Sequence, residues 1–176
     1  MSKILVDTID TRSGTTTLTL GSSNAGTIAL GSGDVQSNFL YPAFQARLVS
    51  NQSLSNNTHT KMEANSENFD TDSCYDTSNY RFTPTKAGEY LCYGQVNIAG
   101  GTIGNLGQIS LRKNGSTVVY GFDRYAGDGD IIAQVQNVIN FNGSSDYLEV
   151  FIRQTSGSTK EAFASYSFFG AYRIGT

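Results

Sequence analysis

The sequence predicts an all-β protein, an antiparallel sandwich that packs against copies of itself behind a β-rich N-terminal stem. Three observations carry that expectation. Apolar residues alternate with polar ones in segment after segment, the period of a strand with one face buried. Asn114-Gly115 and Asn142-Gly143 stand between such segments, and Asn-Gly is a strong short-range turn signal. Hydrophobic residues make up 38% and charged residues only 15%, a balance poor in helix formers and rich in Gly, Ser, Thr and Asn.

A chain of 176 residues is long enough for one domain with its own core and a short extension. Residues 1–38 form the extension and 39–176 the head. The first thirty-six positions hold no aromatic residue and carry a weak repeat, Thr19-Leu20-Gly21-Ser22 against Ala29-Leu30-Gly31-Ser32. Ile4/Val6, Leu18/Leu20 and Ile28/Leu30 give short strands with too little apolar surface to offset the entropy of ordering them alone. Copies wound about one axis would share those side chains in a seam. A disordered arm is the other reading of the same segment.

In the head, Phe44, Ala46 and Leu48 alternate with Gln45 and Arg47 as a first strand, and Lys61–Asn65 is a short second. Phe69 to Ile98 packs an acidic turn, a strand, a Pro-Lys-Ala-Gly turn and a second strand in which Tyr90, Cys92, Gly94, Val96 and Ile98 share one face. Gly100-Gly101 ends that ladder. Ile109–Lys113 and Thr117–Phe122 flank Asn114-Gly115 as a hairpin. Ile131–Phe141 is a long strand, Tyr147–Gln154 the next, and Phe163–Ile174 closes the domain. The closing strand is apolar on both sides, with Phe163, Phe169 and Ala171 opposed to Tyr166, Phe168 and Tyr172. An antiparallel strand facing water would be polar on one side, so one face meets the core and the other a neighbouring subunit.

Charge and patterning exclude several classes. Net charge is −3 and no block of Lys or Arg stands out, so the electrostatic footprint of a nucleic-acid binder is missing. No apolar run approaches the roughly 18 residues of a membrane span, so no membrane insertion is expected. The apolar run after Met1-Ser2-Lys3 is too short for a signal peptide, which implies folding in a reducing compartment. Cys74 and Cys92, on neighbouring predicted strands, are then buried or half-buried thiols, a disulfide being the alternative.

Several motifs resemble the globular head of complement component one-q, a trimeric jelly roll related to tumour necrosis factor. Asn68-Phe69-Asp70, Tyr75-Asp76, Phe82-Thr83-Pro84 and Gly88-Glu89-Tyr90 follow one another as that family's central elements do. Pro42-Ala43-Phe44-Gln45-Ala46 is similar to its opening strand, and Leu111-Arg112-Lys113-Asn114-Gly115 to its strand and turn. Tyr147-Leu148-Glu149-Val150 sits where its members carry a Gly-Asp-x-Val strand, with only Asp146 retained. Ser165-Tyr166-Ser167-Phe168-Phe169-Gly170 is similar to its closing strand. The resemblance implies a homotrimeric jelly-roll binding head and no catalysis. Residues 1–38 stand in place of the collagen stalk and resemble the Thr/Gly/Ser-rich N-termini of phage tail fibres.

Chemistry is thin. His59 is the only histidine, in the loop from Asn51 to Thr60, with no nucleophile placed beside it by a motif. Asp123, Asp128, Asp130 and Glu149 are the carboxylates a glycosidase would need in pairs, but no enzyme is expected. Asp123-Arg124-Tyr125-Ala126-Gly127-Asp128-Gly129-Asp130 is the candidate functional loop. Aspartates two apart on a Gly-rich turn offer hard oxygen ligands to calcium, and the resemblance implies calcium near a trimer apex; a plain acidic turn is the other reading. Tyr75, Tyr80, Tyr120 and Tyr125 sit near turns, where tyrosine stacks on sugars. The expected contact set is Tyr80, Tyr120, Asp123, Tyr125, Asp128 and Asp130.

The expectation that follows is a bacteriophage virion fibre or spike. Its head would adhere to a host-surface glycan or receptor, while residues 1–38 dock on other virion proteins. A capsid decoration protein and a soluble lectin-like protein are the alternatives.

Overall fold

The computed structural model describes residues 42–127 and 129–175, which form a two-sheet antiparallel sandwich. In chain order the strands are β1 (Ala43–Arg47), β2 (Gln52–Leu54), β3 (Thr60–Lys61), β4 (Ser66–Asp70), β5 (Tyr75–Asp76), β6 (Arg81–Phe82) and β7 (Ala87–Gly101). They continue with β8 (Leu106–Lys113), β9 (Ser116–Arg124), β10 (Gly129–Asn142), β11 (Leu148–Gln154), β12 (Lys160–Ala162) and β13 (Phe168–Gly175). Sheet A runs β10-β7-β13-β1-β4, with β12 and β2 continuing beside the far end of β7. Sheet B runs β5-β6-β11-β8-β9, with β3 also on β11. Consecutive strands repeatedly cross between the sheets, which is the jelly-roll winding. The stem, residues 1–38, lies outside the described residues.

The core lies between the sheets and is aromatic. Phe44 stacks on Tyr75 at 4.9 Å and on Phe82 at 4.3 Å between ring centroids, so β1 of sheet A meets β5 and β6 of sheet B. Phe169, Tyr90 and Phe141 extend the cluster with edge-to-face contacts. Phe44 and Tyr90 come from strands whose alternation predicts them inward, and Phe44, Phe82, Tyr90 and Phe169 are fully buried. At the β8–β9 hairpin Asn114 and Gly115 take φ of 53° and 78°, the left-handed pair a two-residue turn between twisted strands requires.

Three expected boundaries differ, each for a local reason. Lys61–Asn65 is strand only at its first residue. The Gln52 side chain donates to the Lys61 carbonyl (2.7 Å) and accepts from the Glu63 N–H (3.0 Å), doing there what a neighbouring strand would do. Phe163–Ile174 is not continuous, because Ala164–Tyr166 is a 3-10 turn. The Asn51 side-chain oxygen accepts from its first N–H, and Gln95 donates to the Tyr166 carbonyl. The strand β7 runs through Gly100-Gly101 rather than stopping there. A Cβ on Gly101 would lie 2.6 Å from the Tyr125 ring, so glycine lets that ring close over the strand end.

The cysteines are free and buried, as expected, but they do not lie on neighbouring strands. Cys92 belongs to β7 of sheet A, whereas Cys74 precedes β5 of sheet B.

Candidate functional site

The expected contact residues do not converge on one place. Tyr80 is half-buried at φ 52° in the turn between β5 and β6, on the sheet B side opposite β9. The same turn is held by Asp76, whose carboxylate accepts from Asn79 Nδ2 (2.6 Å) and from the backbone of Ser78 and Asn79; those bonds hold it below its ordinary value. Tyr120 projects from β9 and is exposed, its ring 6.4 Å from that of His59. Asp123 is the last residue but one of β9, exposed, and accepts from the Arg124 N–H; Asp130 is the second residue of β10 and accepts from the Gly100 N–H at 2.9 Å. Asp128 lies outside the described residues.

Tyr125 is a correction. It is only 2% exposed, and its hydroxyl donates to the carbonyls of Ile98 and Ala99 (3.2 and 3.0 Å). Burial first, then the charge of Asp130, pushes its phenol up to about 12. The ring packs over Gly101 and has no face left for a ligand. Tyr75 is likewise core, donating to the Ala64 carbonyl at 2.7 Å. Among the described residues no group of three or more His, Cys, Asp or Glu side chains comes together as a metal site.

Two further surfaces stand out: an apolar one whose closing-strand part, Phe168 and Tyr172, was expected from the sequence, and a charged one that escaped sequence reasoning. The outward face of sheet A is apolar at its centre. Phe168 lies beside Tyr93 at 6.4 Å between centroids, with Tyr172 on the same face. Around them Gln45 donates to the Tyr93 hydroxyl (3.0 Å) and Gln134 to Gln95 (2.6 Å). A depression of about 360 Å³ lined by Tyr93, Gln95, Gln134, Gln136 and Phe168 opens there. Beside this face lie β9 and β10, one edge strand of each sheet among the described residues, where Val118, Phe122, Ile132 and Val138 are exposed. The backbones touch closely: a Cβ on Gly121 would meet the Gln134 carbonyl oxygen at 1.7 Å.

The outward face of sheet B carries charge. On β11, Leu148, Val150 and Ile152 enter the core, so Glu149, Phe151 and Arg153 point out; on β8, Gln108, Ser110 and Arg112 do the same. The Glu149 carboxylate is 5% exposed and accepts from Lys61 Nζ (2.6 Å) and from Arg81 Nη2 and Nε (2.9 and 3.2 Å). Burial opposes the charged form, but those bonds and the two cations outweigh it and hold the carboxyl below its ordinary value. Arg81 also lies 3.7 Å over the Tyr147 ring. The Arg112 guanidinium lies 3.8 Å over Phe151. His59, reached by burial and by the charges of Arg112 and Arg153, titrates below its ordinary value. The period-2 pattern of β8 and β11 contains this face, but only the strand order shows that Lys61 and Arg81 flank it.

Sheet order, strand crossings and the aromatic core define a jelly roll of the complement 1q and tumour necrosis factor type. The globular domain of zebrafish complement 1qA superposes with a TM-score of 0.55 at 14% identity over 76% of this chain and 97% of that one. Murine APRIL at pH 5.0 gives 0.54 at 16% over 75% and 98%, and Eiger TNF from S. frugiperda 0.54 at 12% over 75% and 90%. No family model and no curated protein matches the sequence. The likeness is therefore one of fold.

Proposed function

We infer that the chain is a homotrimeric fibre or spike protein of a bacteriophage virion, whose jelly-roll head adheres to the host surface while residues 1–38 dock it on the particle. The observation that carries the assembly is the outward face of sheet A. An antiparallel sheet facing water is polar there, whereas this one presents Tyr93, Phe168 and Tyr172. The edge strand β10, where Ile132 and Val138 are exposed, extends that face and also needs covering. Packing the edge of one copy on the sheet A face of the next is a head-to-tail contact, and a rotation of one third of a turn closes it. The Thr/Gly/Ser-rich repeat of residues 1–38 supports the stem, since its few Leu and Ile residues gain a core only when copies share them.

Adhesion is the function this arrangement serves best. With sheet A turned inward, sheet B and the loops around Tyr80, Tyr120, Asp123 and Asp130 are what the particle presents. Two measurements test the proposal. Sedimentation equilibrium at micromolar concentration is expected to give the trimer mass; a monomer overturns the assembly. Purified chain added to the host cells is expected to block adsorption of the phage that encodes it. Unimpeded adsorption at saturating protein overturns adhesion.

A further inference from the structure

We propose that the outward face of sheet B binds a saccharide bearing an oxyanion, with Arg112 and Arg153 as the anion-binding residues and Tyr120 as the stacking platform. This deepens the adhesive reading and rests on it, because it concerns the face left outside when sheet A is covered.

The chain carries −3 overall, yet Lys61, Arg81, Arg112 and Arg153 gather on this face. Of its carboxylates, Asp76 sits opposite Arg81 and is bonded to Ser78 and Asn79, and none forms an ion pair with Arg112 or Arg153 among the described residues; the buried one is Glu149. That carboxylate is committed to Lys61 and Arg81. Arg153 is steadied by a neutral group, the Asn57 side-chain oxygen, which accepts from both Nε (3.1 Å) and Nη2. Arg112 is held by stacking on Phe151, and its buried Nε finds no partner among the described residues. A guanidinium fixed in plane without an anion is prepared for a two-pronged contact with carboxylate or phosphate.

A second orphan lies on the same strand face. The side-chain oxygen of Gln108 is buried and also unpartnered among the described residues. Between the two, Ser110 is fully covered, its hydroxyl donating to the Phe151 carbonyl at 3.3 Å. One strand thus leaves a buried donor and a buried acceptor unmet, and such groups are ordinarily satisfied. Those two atoms are closed to solvent, so the ligand is read from the open groups: two guanidiniums without an ion pair call for an acid group, and an exposed tyrosine ring beside them for a sugar face, which together describe an acidic sugar. The exposed Tyr120 beside His59 and the exposed Phe122 supply flat apolar surface for the ring of an adjacent sugar.

The test is calorimetric titration of the full chain with oligogalacturonate, with its methyl ester (the same sugar without charge), and with galactose 6-phosphate. The acid is expected to bind, with affinity that falls as salt is raised, and the ester about tenfold more weakly or not at all. Binding of the phosphate alone keeps the site and assigns the anion to phosphate. Arg112→Gln and Arg153→Gln are each expected to weaken binding about tenfold, and Arg112→Lys not to restore it, because a point charge lacks the fork. Lys86→Gln, a cation in the turn before β7, is expected to change nothing. Three results overturn the proposal: ester and acid binding alike, Arg112→Lys binding like the parent chain, or neither anion binding at millimolar concentration. Adhesion itself stands or falls separately, on the adsorption assay.

Discussion

Replacing Glu149 by Gln removes the one negative charge between two cations and keeps its shape. Glu149 is nearly buried, while the side chains of Lys61 and Arg81 are 27% and 37% exposed. Breaking a buried pair costs roughly 3–5 kcal/mol when the leftover charge is stranded. Here both cations reach water, and screening of such half-exposed groups brings the expectation down to about 2 kcal/mol. For a domain of this size that lowers the melting temperature by about 6–10 °C. Calorimetry at one fixed protein concentration measures it, since an oligomer's melting depends on concentration. Lys61→Met, which leaves the Arg81 fork in place, is expected to cost about 1 kcal/mol, less than Glu149→Gln. Acid adds a check on sign. The folded carboxyl titrates below its ordinary 4.5, so the folded chain binds fewer protons than the unfolded one through that range. The gap between parent and Glu149→Gln is therefore full above pH 4.5 and closes as pH falls through the folded value. A gap that persists unchanged to acid pH, or a variant as stable as the parent, refutes the reasoning.

Tyr125→Phe strips the donor shared by two β7 carbonyls; it is expected to cost about 1 kcal/mol in urea denaturation and to leave saccharide binding unchanged. Loss of binding would return Tyr125 to the contact set. Gly121→Ala pushes a methyl into the Gln134 carbonyl and is expected to destabilise by about 2–3 kcal/mol, read in the same assay. A neutral effect would mean that β9 and β10 separate readily. Burial raises the titration of both Cys74 and Cys92, so neither thiol should react with a disulfide reagent at pH 8 until denaturant is added. Rapid labelling of either in the native chain contradicts its burial.

The strands were legible because this fold writes a period of two into each element. Phe44/Ala46/Leu48 and Tyr90/Cys92/Val96/Ile98 give their inward faces without any knowledge of neighbours. The short elements were harder. β2, at Gln52–Leu54, has only one apolar side chain, and β4, at Ser66–Asp70, buries none, so pairing with β1 rather than periodicity makes it a strand. Site residues were least legible. Tyr125 sits in an acidic, Gly-rich run that looks like a surface loop, yet Gly101, far away in sequence, leaves the space that its ring fills. Gly100-Gly101 was the available signal, and it reads more simply as a strand end. Phe151 and Arg112 meet only because β11 pairs with β8, a register no local pattern contains.

The place of β13 has a consequence for synthesis. It lies between β7 and β1, pairing with both, so the opening and closing strands of the head are direct neighbours in sheet A. Until β13 has left the ribosome, β1 and β4 have nothing to join, and β7 offers an unpaired side. The head therefore cannot fold piecemeal as it is translated; it waits for nearly all of itself, as topologies of high contact order do. A stop codon or frameshift ahead of Phe168 would split sheet A into two unjoined fragments rather than trim its rim.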